Sequence, residues 1–439
     1  MTGLADFAIT DVTVIDVRTG QAIPAQTVSV MGDNISQIVP ADSADSAGLH
    51  GAVKTLDGRG LYLMPGLVDA HAHYFEPETF GRLFLAHGVT LVREMGMADE
   101  LTLSIRDGLR DGSLLGPELF GAGAILDGVP PLIPLISHGV ATPDEARDAV
   151  QRQAAAGFDV IKVYSTLKVE VFRAIVDEAH RLGLRVAGHV PDSVPIEDAA
   201  AMGLDSSEHF FGFEKLIGKL LDAPVRYTYT GMGADVAFFL RLGEVEPDRL
   251  AQAFDSLRRS GLTVCPTIVT FKAGMRTTSY QSGEFDGSEF VAPELLAMWR
   301  TLWADQSDLS SFIWETWARL VAQLHAAGVP LMVGTDLSVP GILPGFSVHD
   351  EMEIWQDAGI PAPDVLRGAT IVPTTWLGLG ARLGSIEEGK AASMLLVRGN
   401  PLDDVRNARD VEGVFLRGQY FDRLALDQLL AEARELAQR

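Results

Sequence analysis

Apolar and polar positions fall into three regimes along the chain. Near the start, residues 7–16 (Phe-Ala-Ile-Thr-Asp-Val-Thr-Val-Ile-Asp) and 27–39 are rich in β-branched residues and partly alternate. With Gly32-Asp33-Asn34 as a turn between strands, they predict a small antiparallel sheet. From about residue 65 onward, short apolar runs recur, each followed by a longer stretch suited to a helix, which is the alternation of parallel βα units. The candidate strands are Gly66–His73, Val89–Met95, Glu118–Leu126, Val160–Tyr164, Arg185–Val190, Ser206–Phe210, Thr263–Val269 and Pro330–Asp336. Between the fourth and fifth, Phe172, Ile175, Val176, Ala179 and Leu182 stand at helical spacing, with Gly183 as the stop. Eight such units close an α/β fold of the (β/α)8 barrel type.

Short apolar runs return at Ser393–Val397 and Val411–Leu416, separated by Gly399-Asn400-Pro401 and Gly413. The expected organisation is therefore a small β-sandwich module from residues 1–64 and 385–425, a barrel over 65–384 and a C-terminal helix over 426–439. Two connections, 211–245 and 270–311, exceed ordinary turns and read as lids or specificity loops. The second leads into Trp299, Trp303, Trp314 and Trp317, whose spacing suits either helix core or an aromatic substrate pocket.

Composition narrows the class. Of 439 residues 47% are hydrophobic and 21% charged, which excludes a disordered, collagen-like or disulfide-scaffold chain. A net charge of −24 is the wrong sign for general affinity to nucleic acid or anionic lipid, so neither is an expected partner. Cys265 is the single cysteine, so no internal disulfide forms. The first residues lack the regions of a signal peptide, and no apolar run reaches the ~18 residues of a membrane span. A cytoplasmic protein is the expectation.

The strongest chemical signal is Met64-Pro65-Gly66-Leu67-Val68-Asp69-Ala70-His71-Ala72-His73. On a strand, positions 71 and 73 point to the same side, so two imidazoles at its C-terminal end can share one metal ion. Lys162, His189, His209 and Asp336 stand at the ends of other candidate strands. Singly, a strand histidine reads as a hydrogen-bonded core residue and a strand-end aspartate as a helix cap. Lys162 fits such a reading least, because an ammonium among apolar strand residues is costly to bury unpaired. Jointly, five strand ends converge on one barrel face.

In these residues the sequence resembles the amidohydrolase superfamily, in the imidazolonepropionase and Xaa-Pro dipeptidase-like branch of metal-dependent hydrolases. His71 and His73 match its first-strand His-X-His, Lys162 its fourth-strand bridging lysine, His189 and His209 its fifth- and sixth-strand histidines, and Asp336 its eighth-strand aspartate. Gly384-Ser385-Ile386-Glu387-Glu388-Gly389-Lys390-Ala391 and Gly399-Asn400-Pro401-Leu402 match the chain's return into the β module. The resemblance implies a binuclear centre with Lys162 carboxylated by carbon dioxide to a bridging carbamate. His71, His73 and Asp336 would hold one divalent ion and His189 and His209 the other. The ligand types suit zinc, with manganese, cobalt or iron as alternatives. A bridging water would act as hydroxide near neutral pH, and Asp336 would pass its proton to the leaving amine.

Tyr164 follows Lys162 by two and shares its inward direction, which makes it a candidate to hydrogen-bond substrate or intermediate. His138, after the third strand, and His349, beyond the eighth, are candidate substrate contacts. His50, His87, His180 and His325 fall in a terminal loop or in helices, where surface or structural roles fit better.

The expected activity is hydrolysis of an amide-type C–N bond in a small substrate such as a dipeptide or N-acyl amino acid, by a homo-oligomer. The same site could hydrolyse a carbamate, urea-type amide or lactone. A deaminase fits less well, since His189 is followed by Val190-Pro191-Asp192 without a nearby glutamate. A non-catalytic barrel scaffold would have lost ligands, and all six positions are filled.

Overall fold

The computed structural model describes residues 5–43, 52–223, 239–271, 285–303, 309–337 and 339–438. Parts of both long connections expected as lids lie outside the described residues. Seven of the eight candidate barrel runs form strands, most of them shorter than predicted, and the eighth is a segment bridged to its neighbours. In order they are Leu67–Ala72, Val89–Glu94, a split third strand, Val160–Val163, Arg185–Gly188, Ser206–Glu208, Thr263–Cys265 and an eighth segment over 331–336. Strands one, two, four and seven are buried at every residue, as expected of a parallel sheet covered on both faces.

Hydrogen bonds follow the barrel round. Parallel pairing joins strands one to two and two to three, then four to five, five to six and six to seven. The eighth segment closes the ring. Met332 N–H donates to the Val264 carbonyl on one side, while Ala70 N–H donates to the Val333 carbonyl on the other, each at 2.9 Å. The third strand is one apolar run in the sequence but two strands in space: Glu118–Gly121 pairs with strand two, and Ile125–Asp127 pairs with strand four. An added strand, Ser137–Gly139, lies parallel to Ile125–Asp127 and was not legible as an apolar run.

In the outer ring of the barrel, the helix Val169–Arg181 buries Phe172, Ile175, Val176 and Ala179 of the expected stripe, whereas Leu182 falls at the C-cap and is exposed, and Gly183 adopts φ +77° beyond it. The two chain ends meet in one eight-stranded sheet, ordered Gln419–Asp422, Val411–Leu416, Met394–Val397, Tyr62–Pro65, Phe7–Asp16, Gln21–Met31 and Asn34–Pro40, with Lys54–Asp57 beside Phe7–Asp16. It curls over its own core, so that Phe7 meets Phe415 edge-on at 5.1 Å across two intervening strands. Met394 and Leu396 enter that core while Leu395 and Val397 pack against the barrel, which explains why this strand is apolar at four consecutive positions. No helix among the described residues is long and apolar enough to cross a membrane.

Candidate metal centre

At the C-terminal ends of the strands, three imidazoles face one carboxylate. Asp336 Oδ1 lies 3.4 Å from His71 Nε2 and 3.5 Å from His73 Nε2, and its Oδ2 lies 3.9 Å from His209 Nε2. His71, His73 and Asp336 bring one ligand atom each within 4.8 Å of the others. The His189 ring follows at 5.1 Å from that of His209. Lys162 is 1% exposed, among the largest fully buried side chains of the molecule.

The backbone sets this convergence. Residues 69, 71 and 73 alternate to one side of strand one, and Asp69 is fully buried. Asp69 accepts from His71 N–H at 3.2 Å, from Thr335 N–H at 3.1 Å and from Thr335 Oγ1 at 2.6 Å, stapling strand one to strand eight. The next two residues turn sharply: Thr335 and Asp336 both donate N–H to the His71 carbonyl, and Asp336 takes φ +57°. His209 also takes φ +57°, directly after strand six. A left-handed backbone costs a non-glycine residue roughly 1–2 kcal/mol, and it occurs here at two of the residues whose side chains meet.

Each imidazole is held by its other nitrogen. His71 Nδ1 donates to Glu208 Oε2 at 2.7 Å, and His73 Nδ1 donates to the Gly96 carbonyl at 3.0 Å. His189 Nδ1 meets Ser165 Oγ at 3.1 Å, and His209 Nδ1 meets Thr267 Oγ1 at 2.6 Å. The His189 ring is also sandwiched, with Tyr164 at 4.0 Å and Phe211 at 3.9 Å. Burial, and next the Lys162 charge, hold His71 and His189 well below the ordinary imidazole pKa, so both are neutral donors. Burial also brings the Lys162 ammonium down to about 8.

The residues fit a divalent cation. His71 Nε2 is buried without a hydrogen-bond partner, and it points at the same carboxylate as two other imidazole Nε2 atoms. Nitrogen and oxygen donors of this kind suit zinc and other first-row ions. A second trio, His71, Glu208 and Cys265, is also close together. There the His71 Nδ1 is already engaged by Glu208, and burial pushes the Cys265 thiol well above its ordinary pKa.

His138 and His349 stand apart from this cluster. His138 is exposed on Ser137–Gly139, with Nε2 at 3.2 Å from Arg152. His349 is buried in the helix Phe346–Asp357 and donates Nε2–H to the His87 carbonyl at 2.9 Å. Trp317 packs against Phe210, Phe239 and Phe271, and Trp299 is buried, so both belong to the core; the side chain of Trp303 lies outside the described residues. Glu208 and Arg93 have no place in the sequence reading. A glutamate immediately before a candidate ligand, and an arginine ending the apolar run Val89-Thr90-Leu91-Val92, are the signals that could have found them.

Three comparisons bear on this arrangement. The model of the amidohydrolase family matches residues 62–420. A bottromycin amidohydrolase has a similar structure, with a TM-score of 0.77 and 23% identity, over 98% of this chain and 90% of that one. A Xaa-Pro dipeptidase with bound methionine in the active site superposes with a TM-score of 0.68 and 22% identity, over 95% and 99% of the two chains. Among curated proteins, an adenine deaminase of Klebsiella pneumoniae is 34% identical over 91 residues, 20% of this chain; the match spans only 14% of that deaminase's length.

Proposed function

The chain belongs to the amidohydrolase family, hydrolases of C–N bonds, and from that premise we propose that it is a metal-dependent hydrolase of amide bonds in small substrates such as dipeptides or N-acyl amino acids. The observation that carries this reading is the meeting of three imidazole Nε2 atoms, one of them buried and without a partner, around Asp336. His71, His73 and Asp336 would hold one divalent ion, and His189 and His209 a second, with zinc the first choice. When bound, the ions supply Lewis acidity that polarises a substrate carbonyl and acidifies water.

The chain's own residues supply the rest. Lys162, with its pKa brought down to about 8, offers a neutral amine to carbon dioxide. A bond would form between Nζ and carbon, with one proton leaving to water, so that a buried cation would become an anionic oxygen ligand for the ions. Asp336 accepts a proton from the attacking water and returns it to the leaving nitrogen. Tyr164, stacked on His189, would hydrogen-bond the substrate carbonyl or the tetrahedral intermediate.

The test is hydrolysis by metal-reconstituted protein of a panel containing Xaa-Pro and other dipeptides, N-acyl amino acids, carbamates, urea-type amides, lactones and aminopurines. Turnover of dipeptides or N-acyl amino acids is the expected result. Turnover confined to the carbamates, ureas or lactones would keep the site but replace the substrate class, and turnover of aminopurines alone would replace the reaction.

A further inference from the structure

We infer that Glu208, clamped by Arg93 and Ser206, is a positioning residue that fixes the tautomer of His71 and strengthens it as a ligand; this rests on the metal reading above. His71 Nδ1 lies 2.7 Å from Glu208 Oε2. A carboxylate accepts and cannot donate, so the ring proton sits on Nδ1 and the lone pair on Nε2, the atom that faces Asp336 and has no other partner.

Glu208 is itself held by two residues through three hydrogen-bond contacts. Arg93 Nη2 donates to both of its oxygens at 2.9 and 3.0 Å, and Ser206 Oγ donates to Oε1 at 2.6 Å. Arg93 in turn donates Nε–H to the Ala70 carbonyl, one residue before His71, and its guanidinium lies 4.7 Å over the Trp376 ring. Arg93 and Glu208 are both 0% exposed. The chain therefore buries a complete ion pair on the far side of a single imidazole.

The four histidines differ in this respect. The nearest partner of His73 Nδ1 is the neutral Gly96 carbonyl at 3.0 Å, with the Glu94 carboxylate further off at 3.6 Å, and those of His189 and His209 are hydroxyls, which can donate or accept and leave the tautomer open. Of the four, His71 is the one whose Nδ1 lies within hydrogen-bond distance of a carboxylate, at 2.7 Å from Glu208 against 3.6 Å between His73 Nδ1 and Glu94. A charge-assisted hydrogen bond of this kind raises the basicity of the ligating nitrogen, and its loss typically weakens metal affinity 10- to 100-fold. A bland alternative is that the pair merely braces strand two against strand six, in which case metal affinity would not follow it.

The experiment is a zinc titration of the full chain in competition with a chromophoric chelator, for wild type, Glu208→Gln and the double variant Arg93→Met/Glu208→Leu. The double variant removes both charges together, so it leaves no unpaired buried ion and keeps the fold testable. One of two zinc dissociation constants should rise 10- to 100-fold in both variants. Long-range ¹H–¹⁵N spectra of the metal-free protein, labelled at histidine, should show His71 as the Nδ1–H tautomer in wild type and a mixture in the double variant, a change that a mere brace would not produce. Wild-type affinity in either folded variant overturns the inference, as does a double variant too unstable to fold, which would make the pair a brace. Wild type that binds no zinc overturns the metal reading itself, and this inference with it.

Discussion

Asp336 can be read as a helix cap or as a general base, and the two roles respond oppositely to one conservative change. Asn caps a helix about as well as Asp, so in the first role Asp336→Asn would be nearly silent. A neutral amide does not accept and return a proton, so in the second role kcat falls by roughly 10²- to 10⁴-fold. With three imidazoles within 3.9 Å of its carboxylate, we expect the second outcome, with the melting temperature little changed. Turnover measured beside metal content checks it: near-normal turnover rejects the base, and lost turnover with metals retained separates proton transfer from metal binding. Lys162→Ala tests the neighbouring claim. It should lose one bound ion and most activity, with partial rescue by a small carboxylic acid at high concentration; unchanged metal content would sink the carbamate. The residues compared in these tests were legible in the sequence because each is a polar group ending an apolar run. Arg93 presents the same signal as Lys162, but arginine is no metal ligand, and only its contact with Glu208 in space ties it to the site.

Among the elements, the junction of strands one and eight decides whether the site forms at all. Gly334 lies so close to strand one that a Cβ there would meet Cys265 Sγ at 2.6 Å, His71 N at 2.8 Å and His71 Cβ at 2.9 Å. Gly334→Ala must push strand eight away from His71, and with it the Thr335–Asp69 staple and the Asp336 carboxylate. Overpacking of this kind costs about 1–3 kcal/mol, and we expect a lower melting temperature together with weaker metal binding. A destabilised variant with unaltered metal affinity would show that strand eight can shift without carrying Asp336. The strands themselves were legible, since doubly buried parallel strands are continuous apolar runs. The split of Glu118–Leu126 was not, because residues 122–124 remain small or apolar while the pairing partner changes from strand two to strand four. Nor were the left-handed turns at His209 and Asp336: both residue types tolerate that region better than most, but neither position is marked by a glycine or a turn cluster.

On the scale of the whole molecule, the metal reading makes a prediction about stability that does not depend on knowing the substrate. The six proposed ligands come from residues 71 to 336, so an unfolded chain cannot present them together. Ions that bind only the folded form stabilise it by RT ln(1 + [M]/Kd), roughly 1.4 kcal/mol for each tenfold rise in free metal above Kd and for each ion. Unfolding entropy scales with chain length, at about 2.1 cal/mol/K per residue, so in a 439-residue chain each such increment raises the melting temperature by on the order of 1–2 °C. The metal-free protein should therefore melt lower, recover when zinc is returned, and show a midpoint that climbs with the logarithm of buffered free zinc. The barrel should carry this dependence, since the proposed ligands all lie in it. A scaffold that retains the barrel and binds no ion behaves differently: its midpoint is flat across the same series. Lys162→Ala sharpens the comparison, because loss of one ion should halve the slope rather than abolish it. A flat wild-type midpoint, measured by calorimetry in metal buffers after exhaustive chelation, would reject the metal centre whatever substrates the protein is offered.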